Sequence, residues 1–340
     1  MKVRLWLTNP DENNLAHAVV LSRYLVARNL TATLVPQHEA VKIALETKKA
    51  LVERELLDIS YVDFERVLME CATKRGYGSA QTRTAASRSS TPCALFHAVR
   101  VPLVVVVTGT AASGKSQLSR ALSQRLNLTN VVPVDMMREL APRTDGDAFA
   151  WDAPNVVDAH ARECQHARKC VTHEVVRCVA DGKPLVLEGL FIAPELYTPA
   201  ELVGVAATDG ARQASPPHNA SAGAAGVASD KERARWTAHW TSHAPLVLTL
   251  CVHAEEEEVR TRLPLWLQLH AAAGAPAPER TDVACANLIA VQDALISATQ
   301  RLPATPGAAH ALVTSRNGFV DDDDVDRAHK LLLDLIAGTS

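Results

Sequence analysis

A glycine-containing segment near residue 110 carries the residue types that bind phosphate groups. It follows a strongly apolar run and reads Gly109-Thr110-Ala111-Ala112-Ser113-Gly114-Lys115-Ser116. Glycines let the backbone turn tightly enough for successive N–H groups to point inward, and a helix that begins there adds its positive end. In such a loop Lys115 reaches the outer phosphates as a point charge, and the Ser116 hydroxyl binds a magnesium ion. The spacing therefore predicts a P-loop that binds ATP with Mg²⁺.

The residues on both sides of the loop supply the context that this motif requires. Residues 103–107 are apolar and predict a buried strand, while apolar residues recur at helical spacing from 114 to about 126. A chance match in a glycine-containing turn would lack the strand before it and the helix after it. We therefore expect the whole loop, residues 109–116, to contribute to nucleotide binding.

Two carboxylates stand where predicted strands end. Asp135 follows the apolar residues 131–134 and precedes a predicted helix, and Glu188 closes the predicted strand 184–188. Asp135 could orient an acceptor hydroxyl, take up its proton or bind a magnesium-bound water, or it could be an ordinary N-cap of the helix. Glu188 could contact a magnesium-bound water, or it could be a strand-end carboxylate that reaches solvent.

Several arginines could bind charged groups of a substrate. Arg138 could bind a phosphate or carboxylate through two hydrogen bonds, or it could be a surface cation of its helix. Arg260 and Arg262 follow the acidic residues 255–258, and Arg280 follows an Ala/Pro-rich run. These three could lie on a lid that closes over the triphosphate and stabilises charge in the transition state. Arg260 and Arg262 could equally pair with the nearby helical glutamates.

Apolar runs alternate with helical patterns through the larger part of the chain. The predicted strands are residues 103–108, 131–134, 184–188, 245–252 and 309–314. Such alternation predicts an α/β fold with a parallel sheet that is covered by helices on both faces. Ligands bind at the carboxyl edge of such sheets, where we expect the P-loop, Asp135 and Glu188 to meet.

The chain divides by composition into two predicted domains. Residues 1–76 predict a small, mainly helical domain, with a strand at 2–8, helices at 13–28, 37–53 and 61–73, and a turn at 58–60. Residues 77–94 lack periodicity and predict a flexible linker before a large domain at 95–338. Residues 204–232 and 271–278 are poor in large apolar side chains and predict mobile insertions, the second placed where a lid could hinge.

The overall composition limits the class of protein. The chain has 340 residues, 47% of them hydrophobic, and a formal net charge of -3. This charge gives no general basic field, so extended contact with nucleic acid is not favoured. The N-terminal apolar run is too short for a signal peptide, and no stretch approaches a membrane span, so we expect a cytoplasmic protein.

The cysteines and histidines offer one weak metal hypothesis. The seven cysteines form no recognisable disulfide framework. His166, Cys170 and His173 share a helix face that could hold a zinc ion. That face lies opposite a predicted apolar stripe, which makes a solvated surface the simpler interpretation. The stripe consists of Val157, Ala161, Cys164, Val171 and Val175.

Taken together, these motifs resemble the 2-phosphoglycerate kinase-like P-loop proteins, a group that includes archaeal kinases and plant relatives linked to phytic acid synthesis. In the large domain the resemblance rests on Pro102-Leu103-Val104, Gly109-Thr110, Gly114-Lys115-Ser116, Val134-Asp135-Met136-Met137-Arg138-Glu139, Val186-Leu187-Glu188-Gly189 with Pro194, and Val291-Gln292-Asp293-Ala294-Leu295. Residues 21–30 and 58–60 look like the ATP-cone domain that these kinases carry.

The resemblance implies ATP-dependent phosphorylation of a small acidic alcohol, such as 2-phosphoglycerate or an inositol phosphate, with magnesium as cofactor. It also implies a nucleotide-binding or regulatory domain at the N-terminus. Phe191 stands where the family commonly has a histidine, so the acceptor can differ here. Two other functions stay open: a kinase for sugar nucleotides or polynucleotide ends, and a regulatory ATP-binding protein without catalysis.

Overall fold

The structure, a computed structural model, describes residues 3–6, 18–32, 35–77, 102–126, 128, 130–141, 149–204, 245–269 and 280–336. Except for residues 77 and 204, the predicted linker 77–94 and the predicted insertions 204–232 and 271–278 lie outside these ranges. The chain divides into two compact units. The first contains the described residues up to 77, and the second contains nearly all of those from 102 onwards.

The first unit combines a three-stranded sheet with three helices. Its strands are β1 (Arg4–Trp6), β2 (Ala18–Val20) and β3 (Asp58–Ser60), and its helices are α1 (Arg23–Ala32), α2 (Gln37–Glu53) and α3 (Tyr61–Lys74). Strand β1 lies in the centre, antiparallel to β2 and parallel to β3. Apolar residues of all three helices, including Leu30, Ile43 and Phe64, form its core.

Local patterns predicted two helices and the central strand β1 of this unit, which lies within the predicted strand 2–8, but they missed β2 and β3. Helix α2 has the predicted bounds, and α3 begins at the N-cap Ser60, whose hydroxyl accepts from the Asp63 N–H at 3.2 Å. The predicted helix 13–28 is wrong at residues 18–20, which pair with β1, and the predicted turn 58–60 is β3. Pairing with a distant strand outweighs local helical periodicity at these positions.

A six-stranded sheet organises the second unit, in the order β5-β6-β4-β7-β8-β9. The strands are β4 (Leu103–Gly109), β5 (Val131–Pro133), β6 (Leu185–Gly189), β7 (Leu246–Ala254), β8 (Ala308–Arg316) and β9 (Phe319–Val320). All neighbours are parallel except β9, which returns antiparallel to β8. The predicted α/β fold with a mainly parallel sheet is therefore confirmed. The sequence analysis missed only the short hairpin at Asn317 and Gly318.

Helices connect the parallel strands and cover the sheet. They are α4 (Lys115–Leu126), α5 (Val134–Leu140), α6 (Val156–Asp181), α7 (Glu256–Leu269), α8 (Thr281–Gln300) and α9 (Asp322–Ile336). Every residue of β4 is buried, as expected for a strand with helices on both faces of its sheet. On α6 the predicted stripe is partly wrong, because Val157 and Ala161 are exposed and Val156 and His160 are buried instead.

Strands β4 and β7 approach closely where the P-loop begins. Gly109 has φ +144°, a backbone conformation that L side chains rarely adopt, and it pairs with Val252 of β7. A Cβ atom at residue 109 would lie 2.0 Å from the Val252 carbonyl oxygen. Only glycine fits this position, and the loop therefore leaves the sheet directly beside the end of β7.

The described residues contain no helix long and apolar enough to cross a membrane. Within the same ranges, no three His, Cys, Asp or Glu side chains are grouped to hold a metal ion, and His166, Cys170 and His173 do not form such a group. The six described cysteines are free.

Candidate active site

The P-loop runs between β4 and α4, and two of its residues have left-handed backbone conformations. Ala112 has φ 54° and Gly114 has φ 85°. The Ser113 hydroxyl donates to the Thr110 carbonyl at 2.9 Å, across the turn of the loop. These conformations bend the chain back on itself before α4 begins at Lys115. The loop thus has the tight turn that the sequence motif predicted.

Gln292 of α8 connects the start of this loop to the end of β7. Its buried side chain accepts from the Thr110 hydroxyl at 3.1 Å and from the Ala254 N–H at 3.1 Å. It also donates to the Ala254 carbonyl at 2.9 Å. Every polar atom of this amide therefore bonds either the loop or β7. In the sequence, Gln292 appeared only as one residue of a family resemblance.

Lys115 is buried and lies near two carboxylates. Its Nζ donates to the Thr110 carbonyl of its own loop. Burial lowers the pKa of Lys115 to about 8, although the negative charges of Asp135 and Glu188 act to raise it. A buried cation that is desolvated and has no direct ion pair is strongly stabilised when an anion binds beside it. Lys115 is therefore suited to receive a phosphate group.

Asp135 lies in the first turn of α5, and its carboxylate bonds the chain just after β6. It accepts from the Leu190 N–H at 2.8 and 3.0 Å and from the Phe191 N–H at 3.1 Å. The N-cap of α5 is Pro133, so the alternative that Asp135 is an N-cap is wrong. A Cβ at Gly189 would lie 2.7 Å from Asp135 Oδ1, so this glycine makes room for the carboxylate.

Glu188 carries a buried oxygen that has no hydrogen-bond partner among the described residues. Among the described residues, no donor lies within hydrogen-bond distance of Glu188 Oε2. A buried, unpaired carboxylate oxygen costs free energy unless water, a metal or a ligand meets it. The alternative of a carboxylate that reaches solvent does not describe this oxygen, which is buried. Ser116, by contrast, is exposed and lines the same cavity as Glu188.

Arg138 is a buried residue of α5 and not a surface cation of its helix. It is 6% exposed, and its Nη1 donates to Glu163 of α6 at 2.5 Å. Its guanidinium carbon lies 4.0 Å from the centre of the Phe191 ring. The Nε atom has no hydrogen-bond partner in the described part of the chain. One face of the group is therefore packed, while one donor is left for a ligand.

Aromatic side chains pack behind Arg138. The Phe191 ring lies 5.1 Å from Phe149 and 6.0 Å from Trp151, centre to centre. His160 of α6 lies 5.4 Å from Phe191 and donates from Nε2 to the Leu190 carbonyl at 2.8 Å. Burial lowers the pKa of His160, so its neutral form is favoured. The Leu190 backbone is thereby bonded on both sides, by Asp135 and by His160.

These residues enclose one cavity of about 490 Å³ at the carboxyl edge of the sheet. It is lined by the P-loop residues 111–116, by Asp135, Arg138 and Glu188, and by Trp151, Phe191 and Trp266. The structure thus brings together the P-loop, Asp135 and Glu188, which the sequence analysis expected to meet at this edge, and it adds Arg138 to them.

The three predicted lid arginines lie in different places. Arg262 Nη1 donates to the Ala112 carbonyl of the P-loop at 2.9 Å, and the same side chain pairs with Glu258. Arg260 is exposed and pairs with Glu256 at 2.7 Å, one helical turn away. Arg280 pairs with Asp152 at 2.9 Å. Neither Arg260 nor Arg280 is among the described residues that line the cavity.

Sequence reasoning missed His160, Glu163, Trp151 and Trp266. His160 and Glu163 could have been found by shifting the apolar stripe of α6 by one residue, because Val156, His160 and Cys164 recur every four positions. No local signal marks Trp151 or Trp266 as cavity residues. Their positions depend on how distant segments pack.

Comparison with known proteins finds relatives over about half of the chain. A 2-phosphoglycerate kinase from Pyrococcus horikoshii is 22% identical over 191 residues, which are 51% of this chain and 61% of that protein. The 2-phosphoglycerate kinase from Methanopyrus kandleri is 29% identical over 198 residues, or 52% of this chain and 57% of that protein. The one from Pyrococcus furiosus is 20% identical over 190 residues. The chain therefore spans less than two thirds of the length of these relatives.

Two further comparisons add little. No protein-family model matches this chain. A crystal structure of a proposed kinase from Chloroflexus aurantiacus covers 68% of this chain at 16% identity, and its TM-score of 0.37 is too low to carry an argument. The similarity to proteins named 2-phosphoglycerate kinase nevertheless agrees with the resemblance found in the sequence motifs.

Proposed function

We propose that this chain, which is similar in sequence to 2-phosphoglycerate kinases, is an ATP-dependent kinase that phosphorylates a small acidic alcohol. The observation that carries the proposal is the cavity at the carboxyl edge of the sheet. It combines a P-loop, a buried lysine with a lowered pKa, and a buried carboxylate oxygen without a partner. Phosphate transfer needs little covalent chemistry from a protein, and such charges in fixed positions supply most of what it needs.

The nucleotide would bind through the P-loop, with Lys115 against its outer phosphates. The donors around the cavity also fit Mg²⁺, which prefers a few oxygen ligands and keeps several waters. The exposed hydroxyl of Ser116 and the unpaired Glu188 Oε2 would hold the ion, Glu188 through a bound water. When bound, the ion would neutralise the phosphate charge that develops during transfer. Asp135, which the sequence placed as a possible partner of a magnesium-bound water, has both carboxylate oxygens engaged with backbone N–H groups.

The acceptor would bind beside Arg138, which lines the cavity and would donate to a carboxylate or phosphate group of the substrate. Asp135 would orient the acceptor hydroxyl and take up its proton, since its carboxylate is held in place by Leu190 and Phe191. We propose 2-phosphoglycerate or an inositol phosphate as the acceptor. Phe191 is the residue that would discriminate between these two acceptors. It gives the cavity an apolar side chain where the family commonly has a histidine.

The first unit would serve as an ATP-cone-like domain that binds a regulatory nucleotide, and the protein would act in the cytoplasm. The first statement is a proposal that follows from the family resemblance, and the second is a proposal that keeps the location expected in the sequence analysis. A transfer assay with and without residues 1–100 would test the first of them. Equal response to ATP concentration in both forms would contradict a regulatory role.

The test of the proposed activity is transfer of labelled γ-phosphate from Mg-ATP to a panel of acceptors. The panel contains 2-phosphoglycerate, 3-phosphoglycerate, inositol phosphates and nucleosides, with Lys115→Ala run beside the unsubstituted chain. A labelled product that disappears in the variant would establish the kinase and its substrate class. Binding of ATP without any labelled acceptor would favour the regulatory ATP-binding alternative, and transfer to nucleosides would favour the nucleotide-directed kinase.

A further inference from the structure

Helix α7 carries two glutamate–arginine pairs of the same spacing but in different surroundings. Glu256 pairs with Arg260, and both side chains are half exposed, at 60% and 50%. Glu258 pairs with Arg262, and their side chains are 23% and 21% exposed. The first pair therefore lies at the surface, whereas the second faces the P-loop. The exposed pair on the same helix therefore serves as an internal control for the role of the pair that faces the P-loop.

Arg262 bonds the P-loop at Ala112, where the loop has an unusual conformation. Its Nη1 donates to the Ala112 carbonyl at 2.9 Å, and Ala112 has φ 54°. A left-handed conformation is uncommon for a residue with a Cβ and persists where surrounding contacts fix it. The hydrogen bond from Arg262 is such a contact, and it comes from a side chain 150 residues away in the sequence.

The β8–β9 hairpin holds Arg262 from its other side. The Asn317 N–H donates to both oxygens of Glu258, at 3.0 and 3.1 Å, and Glu258 in turn pairs with Arg262. A Cβ at Gly318 would lie 2.8 Å from Arg262 Nη1, so the guanidinium packs directly against this glycine. Arg262 therefore lies between the loop and the hairpin, in contact with both. This position does not suit a group that swings on a lid.

The direction of the Ala112 carbonyl fixes the direction of the next N–H group. The peptide unit between Ala112 and Ser113 is planar and trans, so its carbonyl and its N–H point in opposite directions. Because the carbonyl points at Arg262, the Ser113 N–H points away from Arg262. Ser113 lines the cavity, and Arg262 is not among the described residues that do.

We propose that Arg262 is a positioning residue that holds the Ala112–Ser113 peptide in the orientation that binds phosphate. It acts through the loop and has no contact with the nucleotide. Without it, the peptide can rotate and present the Ala112 carbonyl to the cavity, where a carbonyl oxygen repels phosphate. The proposal rests on the proposed function only in requiring that the P-loop binds a nucleotide. It replaces the lid role that the sequence predicted for Arg262.

The test compares the affinity of Mg-ATP for R262Q, R262K and R260Q by titration calorimetry, with the thermal unfolding midpoint of each variant. We expect R262Q to bind Mg-ATP at least about tenfold more weakly, since it loses a hydrogen bond from a charged donor. R262K retains a charged donor and is expected to recover most of that loss. R260Q changes the exposed pair on the same helix and is expected to bind like the unsubstituted chain.

The outcomes separate this proposal from the proposed function. Equal affinities of R262Q and R260Q would overturn the positioning role of Arg262 while leaving nucleotide binding intact. Weak binding by R262Q and R262K alike, together with a lower unfolding midpoint in both, would show that Arg262 supports the fold and does not orient the loop. Failure of the unsubstituted chain to bind Mg-ATP would overturn the proposed function itself.

Discussion

Some charged pairs of the two units differ in how deeply they are buried. In the first unit, Arg4 pairs with Asp58 and Arg54 with Glu70, and all four side chains are more than two fifths exposed. In the second unit, the side chains of Arg138 and Glu163 are 7% and 15% exposed, and Lys115 is buried close by. Exposed ion pairs change the free energy of unfolding very little, whereas buried charges lower it unless they are fully paired. Incompletely paired buried charge therefore marks the edge of the sheet where a ligand is expected.

The largest expected effect is the loss of phosphate transfer in Lys115→Met. The variant keeps the length of the side chain and removes the cation that would neutralise the outer phosphates. We expect the transfer rate to fall by at least about a thousandfold. The measurement is the initial rate of transfer from Mg-ATP, with circular dichroism to show that the chain is folded. Unchanged turnover in a folded variant would contradict the assignment of the active site to this edge of the sheet.

The same substitution should stabilise the chain in the absence of nucleotide, by an amount that depends on pH. Below pH 8 the amine carries its proton in both the folded and the unfolded chain, and its burial is costly. Between pH 8 and its ordinary pKa of 10.5, the unfolded chain binds the proton and the folded chain does not, so stability rises with pH. We expect the advantage of Lys115→Met in free energy of unfolding to shrink by about 3 kcal/mol across this window.

Chemical denaturation of both proteins at several pH values would measure this difference. Taking the difference between the two removes the titration of all other groups. An advantage that is constant between pH 8 and pH 10.5 would show that the amine is not titrating at its shifted pKa. The contrast between exposed pairs in the first unit and buried charge in the second would then lose the support of the lowered pKa of Lys115.

Neutral substitutions of the two carboxylates of the site should differ in their effect on stability. Asp135→Asn replaces an acceptor of backbone N–H groups, and we expect it to lower the free energy of unfolding by about 1–3 kcal/mol. It also removes the proposed base, so we expect the transfer rate to fall as well. Glu188→Gln removes charge from an oxygen without a donor, so we expect unchanged or increased stability together with a transfer rate about a hundredfold lower. Denaturation curves and initial rates would measure both. Equal destabilisation by the two substitutions would contradict the distinction between a carboxylate that accepts backbone N–H groups and one whose buried oxygen lacks a partner among the described residues.

The smallest expected effect belongs to the first unit. Arg54→Gln breaks an exposed pair with Glu70, and we expect no measurable change in the unfolding midpoint or in the transfer rate. The thermal unfolding midpoint and the initial rate are the measurements. A clear loss of stability in this variant would show that exposed pairs of the first unit matter as much as the buried ones of the second.

The sequence predicted those parts of the structure whose signals are local. The apolar runs of the sheet, the P-loop and the strand-end positions of Asp135 and Glu188 are each encoded within a few residues, and the structure has the predicted strands. Parallel strands align their carboxyl ends, so a correct list of strands was enough to bring the two carboxylates to one edge. The roles of these residues stay predictions.

What the sequence could not predict depends on pairs of residues that lie far apart in the chain. Strand β2 forms because it pairs with β1, and Arg262 meets Ala112 because α7 packs near the loop. Asn317 and Glu258 are 59 residues apart, and nothing in either segment indicates the other. His160 was missed for another reason, since a buried histidine does not register as part of an apolar stripe.

The close approach of β4 and β7 at Gly109 also constrains how this chain can evolve. A Cβ at this position would overlap the Val252 carbonyl in the neighbouring strand, which cannot move without disturbing the whole sheet. Every missense change in this codon is therefore expected to be selected against because it disrupts the sheet, whatever its effect on catalysis. Residue 109 should be the same amino acid in every lineage that keeps this pairing of strands.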